Sequence, residues 1–183
     1  AVQPGLIPDL TGPVLGFDLD VVITGALDPL LDMAPGHVIM RHDWVEKRKG
    51  RPTGHGSVFR YDPDVHRFLY DDLANAPYAE VEAARGSEQR YTSHKAMDNG
   101  TFTYIPEDWV VSFKYDCNPF PSNYLRPAVL PETAKVVCFH GRPKMPESIV
   151  GYRGNLIRYT KPTDWLYTHW IAHTRDDLGE RWT

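Results

Sequence analysis

At 183 residues and 20.9 kDa the chain fits a single domain spanning 1–183. Its 42% hydrophobic and 24% charged residues are globular values that argue against wholesale disorder. A net charge of −4 lacks the basic footprint of a nucleic-acid binder. No apolar run approaches the ~20 residues of a membrane span, and no secretory-signal pattern is present.

The first elements are Val14-Leu15-Gly16-Phe17 and Val21-Val22-Ile23-Thr24, two apolar runs that read as buried, parallel-type strands around Asp18-Leu19-Asp20. Residues His37–Arg41, Ser57–Tyr61 and Ala134–Phe139 predict three further strands, and Phe102–Ile105 with Trp109–Ser112 a small peripheral pair. Asp64 is placed to cap a helix carrying Val65, Phe68, Leu69 and Leu73. Tyr78–Arg85 reads as a short helix ended by Gly86, and Ser87 opens another through Ala96. The stretch 113–133 reads as surface loop, and Thr163 is placed to cap a last helix, Asp164–His173. Strands interleaved with helices predict an α/β fold. Cys117 and Cys138 cannot form a disulfide framework; one bridge between them is the alternative to the favoured reading, two buried reduced thiols of a cytoplasmic protein.

Asp-x-Asp occurs twice, about as often as 16 Asp would give by chance, so context has to decide. Asp62-Pro63-Asp64 reads as turn and cap. Asp18 and Asp20 interrupt an apolar strand, where ionised carboxylates are costly without a partner, and residues i and i+2 share a strand face. That pattern suits a divalent cation with hard oxygen ligands, Mn²⁺ or Mg²⁺; a strand-end turn with exposed aspartates is the plainer reading. His140-Gly141-Arg142-Pro143-Lys144 follows the last buried strand. Its imidazole suits a metal, the Gly141 backbone a close approach to an anion, and Arg142 and Lys144 neutralisation of that anion; an ordinary basic turn is the alternative. Glu88-Gln89 near a helix start suits orientation of a sugar, or simply complements the helix dipole. His169 and His173 lack the glutamate of a zinc-binding helix and read as ordinary helix residues. The run Glu46–Arg51 reads as a solvated basic loop, and the five tryptophans as core or rim.

In their order along the chain, VLGFDLDVVITGALDPL (Val14–Leu30), GHGSVFR (Gly54–Arg60), SEQRY (Ser87–Tyr91) and VVCFHGRPK (Val136–Lys144) resemble GT-A glycosyltransferases. The bacterial proteins of the glycogenin and lipopolysaccharide-galactosyltransferase type are the specific likeness. The resemblance implies a GT-A-like, Rossmann-like mixed sheet with flanking helices. It also implies metal-dependent transfer of a sugar from a nucleotide-sugar, UDP-sugar by type, to a carbohydrate or other hydroxyl acceptor.

Carried over by position, the resemblance makes Asp18, Asp20 and His140 ligands of a Mn²⁺ or Mg²⁺ ion. Gly141, Arg142 and Lys144 would hold the diphosphate, and Glu88 and Gln89 would stand beside the reacting sugar. The chain departs from the family pattern at Glu88, where Asp is usual, at Gly54-His55-Gly56-Ser57, and at Met145, where proline often follows the lysine. With 17 residues ahead of Asp18, the nucleotide-binding half is expected to be N-terminally incomplete. A catalytically inactive carbohydrate-binding or assembly module is the alternative expectation. A phosphohydrolase using Asp18 and Asp20 would need further acidic ligands, and no set presents itself.

Overall fold

A computed structural model describes residues 11–76 and 88–171. The expected helix at Tyr78–Arg85 with Gly86, and Ser87, His173 and Trp182, lie outside the described residues. The strands are β1 (Val14–Phe17), β2 (Val21–Ile23), β3 (Val38–His42), β4 (Gly54–Tyr61), β5 (Phe102–Ile105), β6 (Val110–Ser112) and β7 (Val136–Cys138). The helices are α1 (Asp28–Asp32), α2 (Trp44–Arg48), α3 (Phe68–Asn75), α4 (Glu88–Asp98), α5 (Ser122–Leu125), α6 (Met145–Val150) and α7 (Asp164–Ile171), with a π-helical turn at Phe113–Cys117. Contacts divide the chain into two units, one formed by the stretch ending at Asp18 with Leu27–Glu107, the other by Leu19–Ala26 with the chain from Asp108.

The first unit is built on a four-stranded mixed sheet, order β1-β4-β3-β5, in which β5 is parallel to β3 and the other pairs are antiparallel. Val38, Met40 and Tyr61 from the sheet pack with Leu69 of α3 and Ala96 of α4. Gly54 lets α4 lie close to the sheet. A Cβ there would sit 2.8 Å from the Met40 sulfur and 3.2 Å from the Ser93 Cβ, distances real side chains avoid.

Asp62 and not Asp64 organises the turn before α3, its Oδ1 accepting from the Asp64 and Val65 N–H groups at 3.0 and 3.4 Å. The helix accordingly starts later than its pattern predicts, and Val65 and Leu73 are exposed while Leu69 alone of the four is buried. The same turn holds His66, which is 2% exposed. Its Nε2 faces Gly36 O at 3.1 Å, and its Nδ1 lies 2.9 Å from the Asp62 N–H nitrogen and 3.0 Å from Asp62 O, to which the protonated ring donates. Burial lowers its pKa, opposed by the hydrogen bonds to Asp62 and Gly36 and by the Asp62 charge. The unfolded chain therefore takes up a proton first, near pH 6.5. The fold is expected to lose stability as pH falls below that value, down to the point where the folded imidazole also protonates. Urea midpoints of wild type and His66→Gln between pH 7.5 and 5 test this; parallel acid dependence in the two proteins overturns it.

The second unit carries a three-stranded sheet, order β2-β7-β6, with β2 antiparallel and β6 parallel to a wholly buried β7. A parallel neighbour requires a crossover of a dozen or more residues. Here that crossover is the stretch expected to be surface loop, and it is packed instead. Phe113 stacks on Phe139 at 4.6 Å, Cys117 and Ala128 join the core with Val137 and Leu166, and the Trp165 indole donates to Ala128 O at 2.9 Å. Asn118 and Asn123, both buried, tie it to the 155–160 turn through bonds of 2.9 to 3.1 Å. Cys117 and Cys138 are free and buried, and burial raises the Cys117 thiol far above its usual range, with Asp116 and Cys138 adding to the rise. Thr163 precedes α7 with its hydroxyl donating to Lys161 O.

Three further expectations are corrected. The runs around Asp18–Asp20 are not parallel buried strands: β1 and β2 are antiparallel edge strands with one neighbour each. The Phe102–Ile105 and Trp109–Ser112 runs do not pair with each other: β5 lies parallel to β3 in one sheet and β6 parallel to β7 in another. The first half of the basic run, 46–48, is the end of helix α2, capped by Asp43, with Lys47 paired to Glu107 and Lys49 and Arg51 to Glu46.

Candidate functional site

The decisive local feature of the first unit is an irregularity in the β3–β4 ladder. Met40 faces Phe59 but Arg41 faces His55, so one step along β3 spans four on β4 and leaves Gly56, Ser57 and Val58 out of that register. Irregularities of this kind redirect side chains and free backbone groups, and they recur beside binding sites. Here the freed groups are satisfied from outside the ladder. Gln89, in the first turn of α4, accepts the Gly56 N–H at 2.9 Å, and the Ser57 N–H donates to His55 Nδ1 at 3.2 Å. The Ser57 hydroxyl donates to Asp18 Oδ2 at 3.0 Å, and the Asp18 N–H donates to Ser57 O at 3.0 Å.

A cavity of about 290 Å³ opens over this break. Asp18, Glu88, Gln89 and Thr92 form its polar wall, with Gly56 at the base. Met40, Phe59, Tyr61 and Leu69 form the apolar wall. The glycine matters at the base, since a Cβ on Gly56 would stand 3.4 Å from Gln89 Oε1 and press on the hydrogen bond that closes the gap.

Behind the polar wall stands Asp43, a residue the motif reading passed over. Its Oδ1 accepts the Val45 and Glu46 N–H groups at 2.8 Å each, capping α2. Its Oδ2 lies 3.5 Å from Gln89 Nε2 and 3.9 Å from His55 Nε2. The Gln89 amide is thus held from both ends, its oxygen on Gly56 and its nitrogen towards Asp43. The signal was present in the sequence: Asp43-Trp44-Val45-Glu46 has capping-box spacing.

The structure brings Asp18, Glu88 and Gln89, distant in sequence, onto one cavity of the first unit. Asp20, His140, Gly141, Arg142 and Lys144 belong to the second unit. There the Phe139 N–H donates to Asp20 O at 2.8 Å, extending the β2–β7 ladder. The Asp20 carboxylate receives Lys144 Nζ at 2.8 Å. His140 Nε2 is 2.8 Å from the Ser112 hydroxyl, and Gly141 turns the chain at φ +82°. Arg142 pairs with Glu147, whose other oxygen accepts the Lys144 N–H at 2.8 Å. Lys114, also unanticipated, donates to His140 O at 3.1 Å and stands 3.8 Å from where a Gly141 Cβ would be. Its place on the π-helical turn explains why a loop reading hid it. Among the described residues, no group of three or more His, Cys, Asp or Glu is gathered to hold a metal ion.

Chemically, the cavity offers carboxylate acceptors for hydroxyl groups opposite apolar and aromatic surface, the two kinds of contact a pyranose presents. The second unit offers three cations, Lys114, Arg142 and Lys144, around a glycine turn, which suits an anion such as a phosphate.

No family model matches the chain, and no curated protein matches it by sequence. Solved structures do match. The glycosyltransferase GlyE of Streptococcus pneumoniae TIGR4 aligns over 94% of this chain and 42% of its own, with a TM-score of 0.54 and 14% identity. The galactosyltransferase LgtC, solved with donor and acceptor sugar analogs, aligns over 97% of this chain and 67% of its own, with a TM-score of 0.54 and 13% identity. The chain thus spans less than half of the one protein and about two thirds of the other. Its fold, mixed sheets with flanking helices, is similar to that of glycosyltransferases of the GT-A type.

Proposed function

We propose that the chain acts in the transfer of a sugar from a nucleotide-sugar to a hydroxyl acceptor. The observation that carries this reading is the cavity of the first unit, where Asp18, Glu88 and Gln89 meet opposite Phe59 and Tyr61. The fold's likeness to solved glycosyltransferases supports it.

In this reading Asp18 and Glu88 accept hydroxyl groups of the sugar, while Phe59 and Tyr61 cover its apolar face. Gln89 fixes the wall by holding Gly56. In the second unit, Gly141 with Lys114, Arg142 and Lys144 takes the charge of the departing diphosphate. Asp20 and Glu147 keep Lys144 and Arg142 in place until the anion arrives. Asp20 and His140, both in the second unit, have donor atoms of the kind Mn²⁺ or Mg²⁺ takes. A cation held by them would add positive charge for the leaving group, and it would have to exchange with Lys144 at Asp20 and with Ser112 at His140.

Isothermal titration with UDP-hexoses, with and without Mn²⁺, tests the proposal on wild type, Asp20→Ala and Glu88→Ala. Binding that needs Mn²⁺ and weakens about tenfold or more in each variant supports it. No heat with any UDP-hexose, or affinity unchanged in both variants, overturns it. A second reading, sugar binding without transfer, draws on Glu88 standing where the family pattern has Asp. It predicts hexose binding with no release of UDP.

A further inference from the structure

Outside the candidate site, the second unit carries an apolar surface that no part of the proposed chemistry uses. Phe120 is 53% exposed, Leu125 79%, Leu156 67% and Ile157 60%. Two loops bring these side chains together and hold them still. Tyr124 stacks on Tyr159 at 4.6 Å and 5°, and Phe120 meets Tyr124 edge-on at 6.4 Å. The buried Asn123 amide donates to Leu156 O at 3.0 Å and Tyr159 O at 3.1 Å, and Lys161 Nζ donates to Leu125 O at 3.1 Å. Large apolar side chains scattered singly need no explanation, but a pinned, contiguous group marks a surface that meets something apolar.

The charges around it say what. Residues 119–131 and 151–163 contain Arg126, Arg153, Arg158 and Lys161 and no carboxylate. Arg126, Arg153 and Arg158 are exposed, and no ion pair engages them among the described residues. Among the described residues elsewhere, Lys47, Lys49, Arg51, Lys95, Arg142 and Lys144 each have a carboxylate partner. Unpaired guanidinium groups bordering protruding leucine, isoleucine and phenylalanine complement a surface with apolar depth and anionic phosphate at its edge.

We propose that this face of the second unit, Phe120, Leu125, Leu156 and Ile157 with Arg126, Arg153 and Arg158, seats the chain on an anionic lipid surface. No helix of the described residues is long and apolar enough to cross a membrane. The apolar tips enter the headgroup boundary and the guanidinium groups bind lipid phosphates. The proposal is independent of the sugar-transfer reading, because it requires neither donor nor metal.

Co-sedimentation of the full chain with phosphatidylcholine vesicles containing 0 or about 40 mol% phosphatidylglycerol tests it. Each cation near an anionic surface contributes about fivefold in partitioning, so the anionic vesicles are expected to bind at least about tenfold better, less so in 0.5 M salt than at ~0.1 M. Leu125→Ser with Ile157→Ser, and separately Arg153→Glu with Arg158→Glu, are expected to abolish sedimentation with an unchanged circular dichroism spectrum, the substituted side chains being exposed. Equal binding to both vesicle types, no binding to either, or binding kept in both double variants overturns the proposal. A wild-type dimer in light scattering that the serine variant dissociates, without vesicle binding, overturns it too and assigns the face to a second copy of the chain.

Discussion

Under the proposed sugar transfer, Gln89→Ala is expected to lower the rate about a hundredfold while the protein stays folded, because the loss falls on the shape of the cavity wall. Gln89 Oε1 is the partner of the Gly56 N–H at the point where β4 departs from β3. Alanine leaves that half-buried N–H to water or to nothing, at a cost of about 1–3 kcal/mol. The strand then relaxes where Ser57 fixes the Asp18 carboxylate. Gln89→Glu separates the two contacts of the amide: it keeps an acceptor for Gly56 and removes the donor facing Asp43 Oδ2, placing two carboxylates side by side. Glutamate is therefore expected to recover stability at pH 5, where such a pair can share a proton, and to lose it at pH 8. Steady-state rates with saturating donor, set beside thermal midpoints at the two pH values, check both. A Gln89→Ala protein of lower midpoint but undiminished rate removes the cavity from the chemistry.

What the sequence could reveal followed from how local each signal is. The strands at β3, β4 and β7 were legible because apolar and β-branched runs bounded by turn residues need nothing beyond themselves to be recognised. The direction of pairing was not. Val14–Phe17 and Val21–Ile23 have the composition of parallel interior strands, yet each lies antiparallel at an edge, since its partner is chosen by chain more than forty residues away in one case and over a hundred in the other. The crossover between β6 and β7 was misread for a similar reason. Its Pro and Asn content looks like loop, and only the buried bonds of Asn118 and Asn123 show why it packs. Asp18, Glu88 and Gln89, singled out by residue type and order, line one cavity of the first unit. Ser57 holds Asp18 through a hydrogen bond that no spacing rule reports, and the spacing of Asp43 to Glu46 announces a helix cap but not its approach to Gln89. Arg60 is the extreme case: it continues the Val58 face of β4, where a guanidinium is the last group the pattern would place.

That guanidinium carries the largest stability effect expected of any single substitution in the first unit. Arg60 is 3% exposed, and its Nη1 donates to Leu31 O at 2.5 Å while its Nη2 donates to Ala34 O at 2.7 Å and His37 O at 2.9 Å. These carbonyls belong to the last turn of α1 and to the connection from it to β3, in which Ala34 holds φ at +43°, a conformation alanine adopts only when its surroundings enforce it. Burial lowers the pKa of Arg60 while Asp62 and Asp32 oppose the shift, so two carboxylates offset part of the cost of keeping the charge inside. Arg60→Met preserves volume and removes every donor. Charge-assisted bonds to buried carbonyls are worth about 1.5–3 kcal/mol each without being additive, so a loss of about 3–5 kcal/mol is expected. Arg60→Lys is expected to recover less than half of it, because one ammonium cannot reproduce a planar fork that reaches three carbonyls at once. Urea unfolding followed by circular dichroism measures both losses. A Met variant within 1 kcal/mol of wild type would show that the turn keeps Ala34 in place without the guanidinium.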